Sequence, residues 1–259
     1  MLQNLIELAV PATTGSSAER SLRLLACLAQ EGHALSLAEL AAELSLPKGT
    51  AHRLCTQLLE LGFIARDINE RDFVVGPALR KLSFDTLTHG AVRGLRHQVL
   101  SELVKQVGET CNFTTLDGAS VLYLDRVEAP WPWRLTLEVG EHVPVHCTAS
   151  GKLFLALMPA KQRELLISEL NLVVMTEATI TSRTKLLQEC ESIARAGYSL
   201  DRQEFIDGLL ALAVPVCDEN GNMRAALAVH APISRLSAEQ ALQRLPALQA
   251  AALRLGRLL

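Results

Sequence analysis

Between Lys48 and Gln57 the chain sets Lys48, Thr50, His52, Arg53, Thr56 and Gln57 beside a separate apolar series, Ala51, Leu54, Cys55, Leu58 and Leu61. Lys and Arg donate to phosphate oxygens, and Thr, His, Gln and Arg can hydrogen-bond base edges, so these types together have the chemistry of a surface that reads duplex DNA. The apolar series recurs at helical spacing. Both sets therefore belong to one amphipathic helix, with its polar face left to enter a major groove. Upstream, Ser36 and Glu39 have the spacing of a capping box, in which hydroxyl and carboxylate satisfy each other's backbone N–H at a helix start. Leu37, Leu40, Ala41 and Leu44 then form one stripe, and Pro47 suits the first turn of the following helix. Gly62 ends that helix. Phe63, Ile64 and Arg66, a polar turn over Asp67–Asp72, and Phe73, Val74 and Val75 read as a two-stranded hairpin. A helix from Ser17 to Gln30, with Leu22, Leu25, Ala26 and Ala29 on one face, supplies the third helix of the unit. The whole reads as a winged helix-turn-helix, with Ser36, Lys48, Gly49, Thr50, His52, Arg53, Thr56, Gln57, Arg66 and Arg71 as candidate DNA contacts.

Residues 1–88 hold eight Lys or Arg against ten Asp or Glu, so this region cannot rely on bulk attraction to phosphate. Binding would need local placement of the cations and more than one copy. The rival readings are an ordinary amphipathic helix pair, or a winged helix that contacts proteins while a sensor domain works without DNA.

At 259 residues the chain is long enough for two domains. Residues 1–17 read as a flexible lead-in, with the first ten as a frayed arm; 18–76 as the winged helix; 77–91 as a linker helix; and 92–259 as a second domain. In that domain a helix from Val92 to Val107, with Leu95, Val99, Leu103 and Val107 in register, gives way to alternation. CNFTTL, the Asp117-Gly118 turn and SVLYLDRV form a hairpin. RLTLEV at 134–139 is a further strand, and 209–217 and 223–231 flank Asp218-Glu219-Asn220-Gly221 as another hairpin. Helices are expected at 150–157, 160–169, 183–196 and 237–258. The fold class is α+β, with an α/β second domain built on a mostly antiparallel sheet and suited to enclosing a small molecule.

Other candidate chemistry is weaker. Ser150-Gly151-Lys152 has the look of a phosphate loop, yet the upstream glycine is missing and Leu153 stands where Ser or Thr would ligate magnesium. His142 and His146 flank Pro144, which opposes a helix that would align them on a metal. Six cysteines, at 27, 55, 111, 147, 190 and 217, show no paired spacing and read as reduced and structural, with Cys27 and Cys55 on apolar helix faces. No catalytic residue, metal or cofactor is expected. No signal segment or membrane-length run is visible, which points to a cytoplasmic protein without membrane contact.

Two segments make the chain similar to the IclR family of bacterial transcriptional regulators. One is LPKGTAHRLCTQLLELGFIARD, which resembles the family's recognition helix and wing. The other resembles its C-terminal signature, with Gly197, Asp201, Glu204, Ala211, Leu212, Ala213, Val216 and Asp218 complying and Cys217 departing where an aromatic or His is usual. The resemblance implies an N-terminal winged helix, a linker helix and a GAF-like effector-binding domain that also oligomerises. It further implies a dimer or dimer of dimers, a roughly palindromic DNA operator and a small organic acid effector. By the same resemblance Ala149, Ser150, Asp201, Ala211, Ala228 and His230 map to the effector site. If Ser150 starts its helix, its hydroxyl and the neighbouring N–H groups would receive an anion, and His230 could donate a further hydrogen bond. Relatives that bind small oxoacids carry a Cys and two Ser where this chain has Ala211, Ala228 and His230. That difference favours a larger or more apolar effector, such as an aromatic or medium-sized organic acid. Trp131 and Trp133 are placed equally well in the roof of such a site, in an interface or in a core.

Overall fold

The computed structural model describes residues 16–31, 33–67, 70–88, 90–132 and 137–259. The first ten residues, Trp133 and the first half of the expected strand at 134–139 lie outside that set. The chain divides into two compact units, one ending at Thr86 and one running from Leu87 to Leu259.

In the first unit, helix α1 spans Ser17–Glu31, α2 Leu37–Glu43 and α3 Lys48–Glu60, followed by strands β1 (Ile64–Arg66) and β2 (Phe73–Val75), which pair antiparallel. The capping box forms: Glu39 N–H donates to Ser36 Oγ at 3.2 Å, and Ser36 N–H donates to the Glu39 carboxylate at 2.8 Å. Leu35 and Phe73 exchange backbone hydrogen bonds, so the start of α2 is tied to the wing. Leu24, Leu28, Leu40, Leu54, Leu58, Ile64 and Phe73 make the core.

Three local expectations are corrected here. Helix α1 buries Leu24 and Leu28 rather than the Leu22, Ala26 and Ala29 face, and Leu22 is exposed. A leucine-rich helix offers two adjacent stripes, and the position of the core chooses between them. Leu61 is exposed because α3 ends at Glu60 and Leu61 is its cap. Pro47 is also a cap residue, one place ahead of the helix it was expected to begin.

Helix α4 (Pro77–Thr88) crosses the division between the units. In the second unit, α5 (Ala91–Val107) leads to β3 (Thr110–Asp117) and β4 (Ser120–Val127), followed by β5 (His142–Pro144), α6 (Ala149–Leu157), α7 (Ala160–Glu169) and α8 (Arg183–Ala196). Then come β6 (Ser199–Arg202), β7 (Leu209–Cys217), β8 (Met223–Pro232), α9 (Ala238–Gln243) and α10 (Leu245–Gly256). The sheet has the order β5-β4-β3-β8-β7-β6, and each neighbouring pair is antiparallel. Residues 137–139 are not in a strand; the edge position is taken by β5 instead. The expected single helix over 237–258 is two helices. Pro246 sits in the first turn of α10, where its missing N–H costs little, whereas inside a continuous helix its ring would clash with the preceding turn. In α5 Leu95 is exposed, and Val99, Leu100, Leu103, Val104 and Val107 are buried.

The two faces of the sheet have different tasks. Cys111, Phe113, Leu212 and Val229 are buried on one. The other carries Ala211, Ala213, Ala226 and Ala228 at its centre, beneath Ala149, Leu153 and Phe154 of α6. Four small side chains in neighbouring strands leave room between sheet and helix.

Candidate functional site

On α3, Ala51, Leu54, Cys55 and Leu58 are buried. Lys48, Gly49, His52, Arg53, Thr56 and Gln57 are exposed, and Thr50 is half-buried. The side chains of Lys48, His52, Arg53 and Gln57 make no hydrogen bond or ion pair among the described residues. Thr56 differs, because its hydroxyl donates back to His52 O at 3.0 Å. Arg66 is partly committed to structure: it donates to Arg71 O at 2.8 Å and lies over the Phe73 ring at 4.1 Å, bracing the wing. Arg71 is exposed at the wing, and Ser36 serves as the cap of α2.

In the second unit a cavity of about 30 Å³ lies between α6 and the alanine-floored sheet face. Ala149, Ser150, Asp201, Ala211, Ala228 and His230 all line it, joined by Asn112, Tyr123, Thr148 and Phe205. Strand register explains the gathering, because Asp201 pairs with Ala211, Ala211 with His230, and Ala228 with Asn112. The sequence reading missed Asn112 and Tyr123, and the cross-strand pairing that brings them to the site is not a local property of the chain.

The helix start is one residue earlier than expected for Ser150. Thr148 is the cap: its hydroxyl accepts from Gly151 N–H at 3.2 Å and donates to Pro144 O at 2.8 Å. Ser150 is the second helical residue, and its hydroxyl has no partner among the described residues. The N–H groups of Ala149 and Ser150, in the first turn, have no intrahelical acceptor. Gly151 is required by close approach, since a Cβ there would lie 2.1 Å from Val145 O.

Asp201 is 2% exposed, and its Oδ1 accepts from Glu204 N–H at 2.7 Å and Phe205 N–H at 3.4 Å. Burial pushes its carboxyl up to about 7, with the Glu204 charge adding to the rise and the backbone donors and Lys152 opposing it. Near neutral pH it is thus poised between acceptor and donor. His230 is held down to about 3 by burial and by the Arg126 and Arg235 charges, so its ring is neutral. Its Nε2 is buried without a partner among the described residues. The Tyr123 hydroxyl, raised to about 12 mainly by burial, stays protonated and also has no such partner.

Behind this cavity Lys152 is fully buried and pairs with Glu204, and with Glu189 at 3.3 Å. The ammonium is therefore committed to fixing α6 against the 201–205 segment, which Thr176 and Thr179 also hold through the Gln203 and Glu204 carbonyls. This arrangement disposes of the phosphate-loop reading. His142 Nε2 meets Asp117 at 2.9 Å, whereas His146 Nε2 meets Val173 O at 3.0 Å, so the two rings serve separate contacts. Trp131 donates to Gly108 O and stacks with Arg235. It does not line the cavity.

A winged helix-turn-helix whose α3 exposes Lys48, His52, Arg53 and Gln57 without partners among the described residues, followed by a sheet-and-helix unit around a cavity with buried polar groups, is the architecture of a ligand-responsive DNA-binding regulator. The IclR helix-turn-helix domain matches residues 17–67, and the bacterial transcriptional regulator IclR C-terminal domain matches residues 84–257. The chain is 37% identical over 239 residues to the probable transcriptional regulator SauR of Cupriavidus necator, covering 92% of this chain and 95% of that one. It superposes on the crystal structure of Thermotoga maritima IclR with a TM-score of 0.62 at 26% identity, over 93% and 97% of the two chains. The inducer-binding domain of the PobR transcription factor from Acinetobacter, a double mutant in complex with 3-hydroxybenzoic acid, matches with a TM-score of 0.61 and 26% identity, over 66% of this chain and 100% of that one. The protein belongs to the IclR family. It is an IclR-type transcriptional regulator with a helix-turn-helix and an effector-binding domain, not an enzyme. No described helix is long and apolar enough to cross a membrane.

Proposed function

We propose that this regulator controls a catabolic operon by reading a roughly palindromic operator as a dimer or dimer of dimers, in response to an organic acid of aromatic class bound between α6 and the sheet. The observation that carries this reading is the cavity itself, where Ser150, Tyr123 and His230 each offer a polar group with no partner among the described residues. Buried donors left unmade are costly, and an oxyanion that accepts from several of them recovers that cost. Val121, Val143, Phe205 and Leu209 add apolar lining suited to a ring or an aliphatic body. The structural likeness to a domain crystallised with 3-hydroxybenzoic acid supports the same class.

In this conformation the cavity has room for about two waters. An aromatic acid must therefore displace a lining side chain, and Phe205 is the one of them that is only half-buried. Asp201 would meet the effector as a neutral donor below about pH 7 and as a repelling anion above it. DNA contact is assigned to Lys48, Gly49, Thr50, His52, Arg53, Thr56 and Gln57, with Ser36, Arg66 and Arg71 beside them. Two linked reading heads add their binding through effective concentration, which offsets the acidic balance of the N-terminal region. Effector and operator affinities are then linked by one coupling free energy.

Thermal-shift profiling of the full chain with aliphatic and aromatic acids tests the effector class. Stabilisation by benzoate-like acids is the expected result, and stabilisation by two- and three-carbon oxoacids alone would contradict it. The acidic N-terminal balance favours the reading in which the winged helix contacts proteins; binding to promoter DNA that weakens steeply with salt would exclude that alternative.

A further inference from the structure

One wall of the cavity is organised by residues that the effector reading does not use. Asn112 on β3 stands opposite Arg126 on β4 and opposite Ala228 on β8, with His230 two places further along β8. Arg126 and Tyr123 are three residues apart, so a regular strand would send them to opposite faces of the sheet. The register shift between Phe113 and Thr114 changes this: Tyr123 pairs with Thr114, Arg126 pairs with Asn112, and both fall on the cavity face.

Arg126 Nη1 lies 3.2 Å from Asn112 Oδ1, and Asn112 Nδ2 lies 2.8 Å from His230 Nδ1. A guanidinium donates and never accepts, so the amide atom facing it must be the oxygen. The amide nitrogen is then turned to His230, and an NH2 group can only donate. His230 Nδ1 must accept, and the ring proton belongs on Nε2, the buried atom with no partner among the described residues.

We propose that Arg126 and Asn112 are positioning residues that lock His230 as its Nε2–H tautomer, making this wall of the cavity a fixed donor that selects an effector by an acceptor oxygen, carboxylate or carbonyl. An occupant presenting an N–H or ammonium to the same wall is rejected, because donor would face donor. Asp201 lies two strands away in the same cross-strand row, Asp201–Ala211–His230. At roughly 5 Å per strand this places the ionisable carboxyl and the fixed donor at opposite ends of the site. The effector therefore turns its acceptor to β8 and its remaining polar group to β6. Only the identity of the occupant rests on the function proposed above; the tautomer lock is a property of the protein itself.

The test is a long-range ¹⁵N–¹H correlation spectrum of the full-length protein labelled at histidine, with the His230 signals assigned by their loss in His230→Gln. The expected parent spectrum shows one neutral ring protonated at Nε2. Arg126→Lys keeps a group that only donates and should preserve that pattern. Arg126→Gln lets the Asn112 amide turn over, and the Nδ1–H form should then appear, as it should in Asn112→Ala. A parent ring protonated at Nδ1, or a tautomer unchanged in both Arg126→Gln and Asn112→Ala, overturns the proposal. Because these spectra need no ligand, a failed effector screen alongside the expected tautomer would count against the function and in favour of the lock.

Discussion

The exposed face of α3 and the cavity beneath α6 both present polar groups without partners among the described residues, but they do so in opposite media. On α3, Lys48, His52, Arg53 and Gln57 stand in water, where an unpaired cation costs nothing and remains mobile until a phosphate or base edge arrives. In the cavity, Ser150, Asp201 and His230 are buried, so each group has to be oriented by something behind it. Thr148 caps the helix bearing Ser150, two backbone N–H groups hold Asp201, and Asn112 holds His230. The proposed reading surface is centred on one helix, whereas the lining of the cavity draws on six strands and α6. Substitutions on α3 should therefore change binding without changing stability. Substitutions around the cavity should change both.

The largest expected effect is at Asp201. Its ordinary carboxyl value is 3.8 and its value in the fold is about 7, so the unfolded chain releases this proton at lower pH than the folded one. Stability from this group is fully present below about pH 4 and is lost as pH rises to about 7, a penalty of about 4 kcal/mol above that point. Asp201→Asn keeps the acceptor for the backbone and removes the charge. Urea unfolding should show the variant more stable than the parent at about pH 8, with the gap closing toward about pH 4. His230 has the opposite slope, since its neutral form is favoured: its contribution is present above about pH 6.5 and is lost as pH falls toward about 3.

Next in size is Gly151→Ala. Its Cβ would meet the Val145 carbonyl oxygen at 2.1 Å and the Val145 Cα at 2.5 Å, and backbone cannot move aside as a side-chain tip can. A loss of about 3 kcal/mol, read by denaturation, is expected, together with weakened effector binding as α6 is pushed off the cavity. Arg53→Ala sharpens the contrast from the other region. It should weaken operator binding by about 1–3 kcal/mol, as for a base-reading arginine, while the unfolding midpoint stays within about 0.5 kcal/mol of the parent. A matched fall in stability would mean that the residue packs rather than reads. The smallest effect is expected at Ser36→Ala, which removes half of the capping box and should cost about 1 kcal/mol in thermal unfolding.

The same contrast explains what the sequence could convey. The helix-turn-helix is legible because its signals are local: Ser36 and Glu39 three apart, apolar residues at helical spacing, a polar face beside them. Ala149, Ser150, Asp201, Ala211, Ala228 and His230 were reached through resemblance to a family pattern, and strand register accounts for their convergence on one cavity. Asn112, Tyr123 and Arg126 were not reached, because their shared face depends on a bulge between Phe113 and Thr114 that no residue type announces. Lys152 enters the sequence reading only through a phosphate-loop pattern that fails, because its partner Glu204 lies 52 residues later and is brought against it by the fold. Strand β5 has three residues and no periodicity long enough to detect. In α1 the error was a choice between neighbouring stripes, which only the position of the core resolves.

Specific DNA is the proposed partner of the exposed face of α3. Fluorescence-anisotropy titration of the full-length protein against the DNA beside its own gene, at fixed salt with excess nonspecific competitor, tests this assignment most directly when run in parallel with Arg53→Ala. A competitor-resistant complex for the parent and a markedly weaker one for the variant, with both proteins equally folded, is the expected result. Equal affinity of the two proteins for that DNA would contradict it.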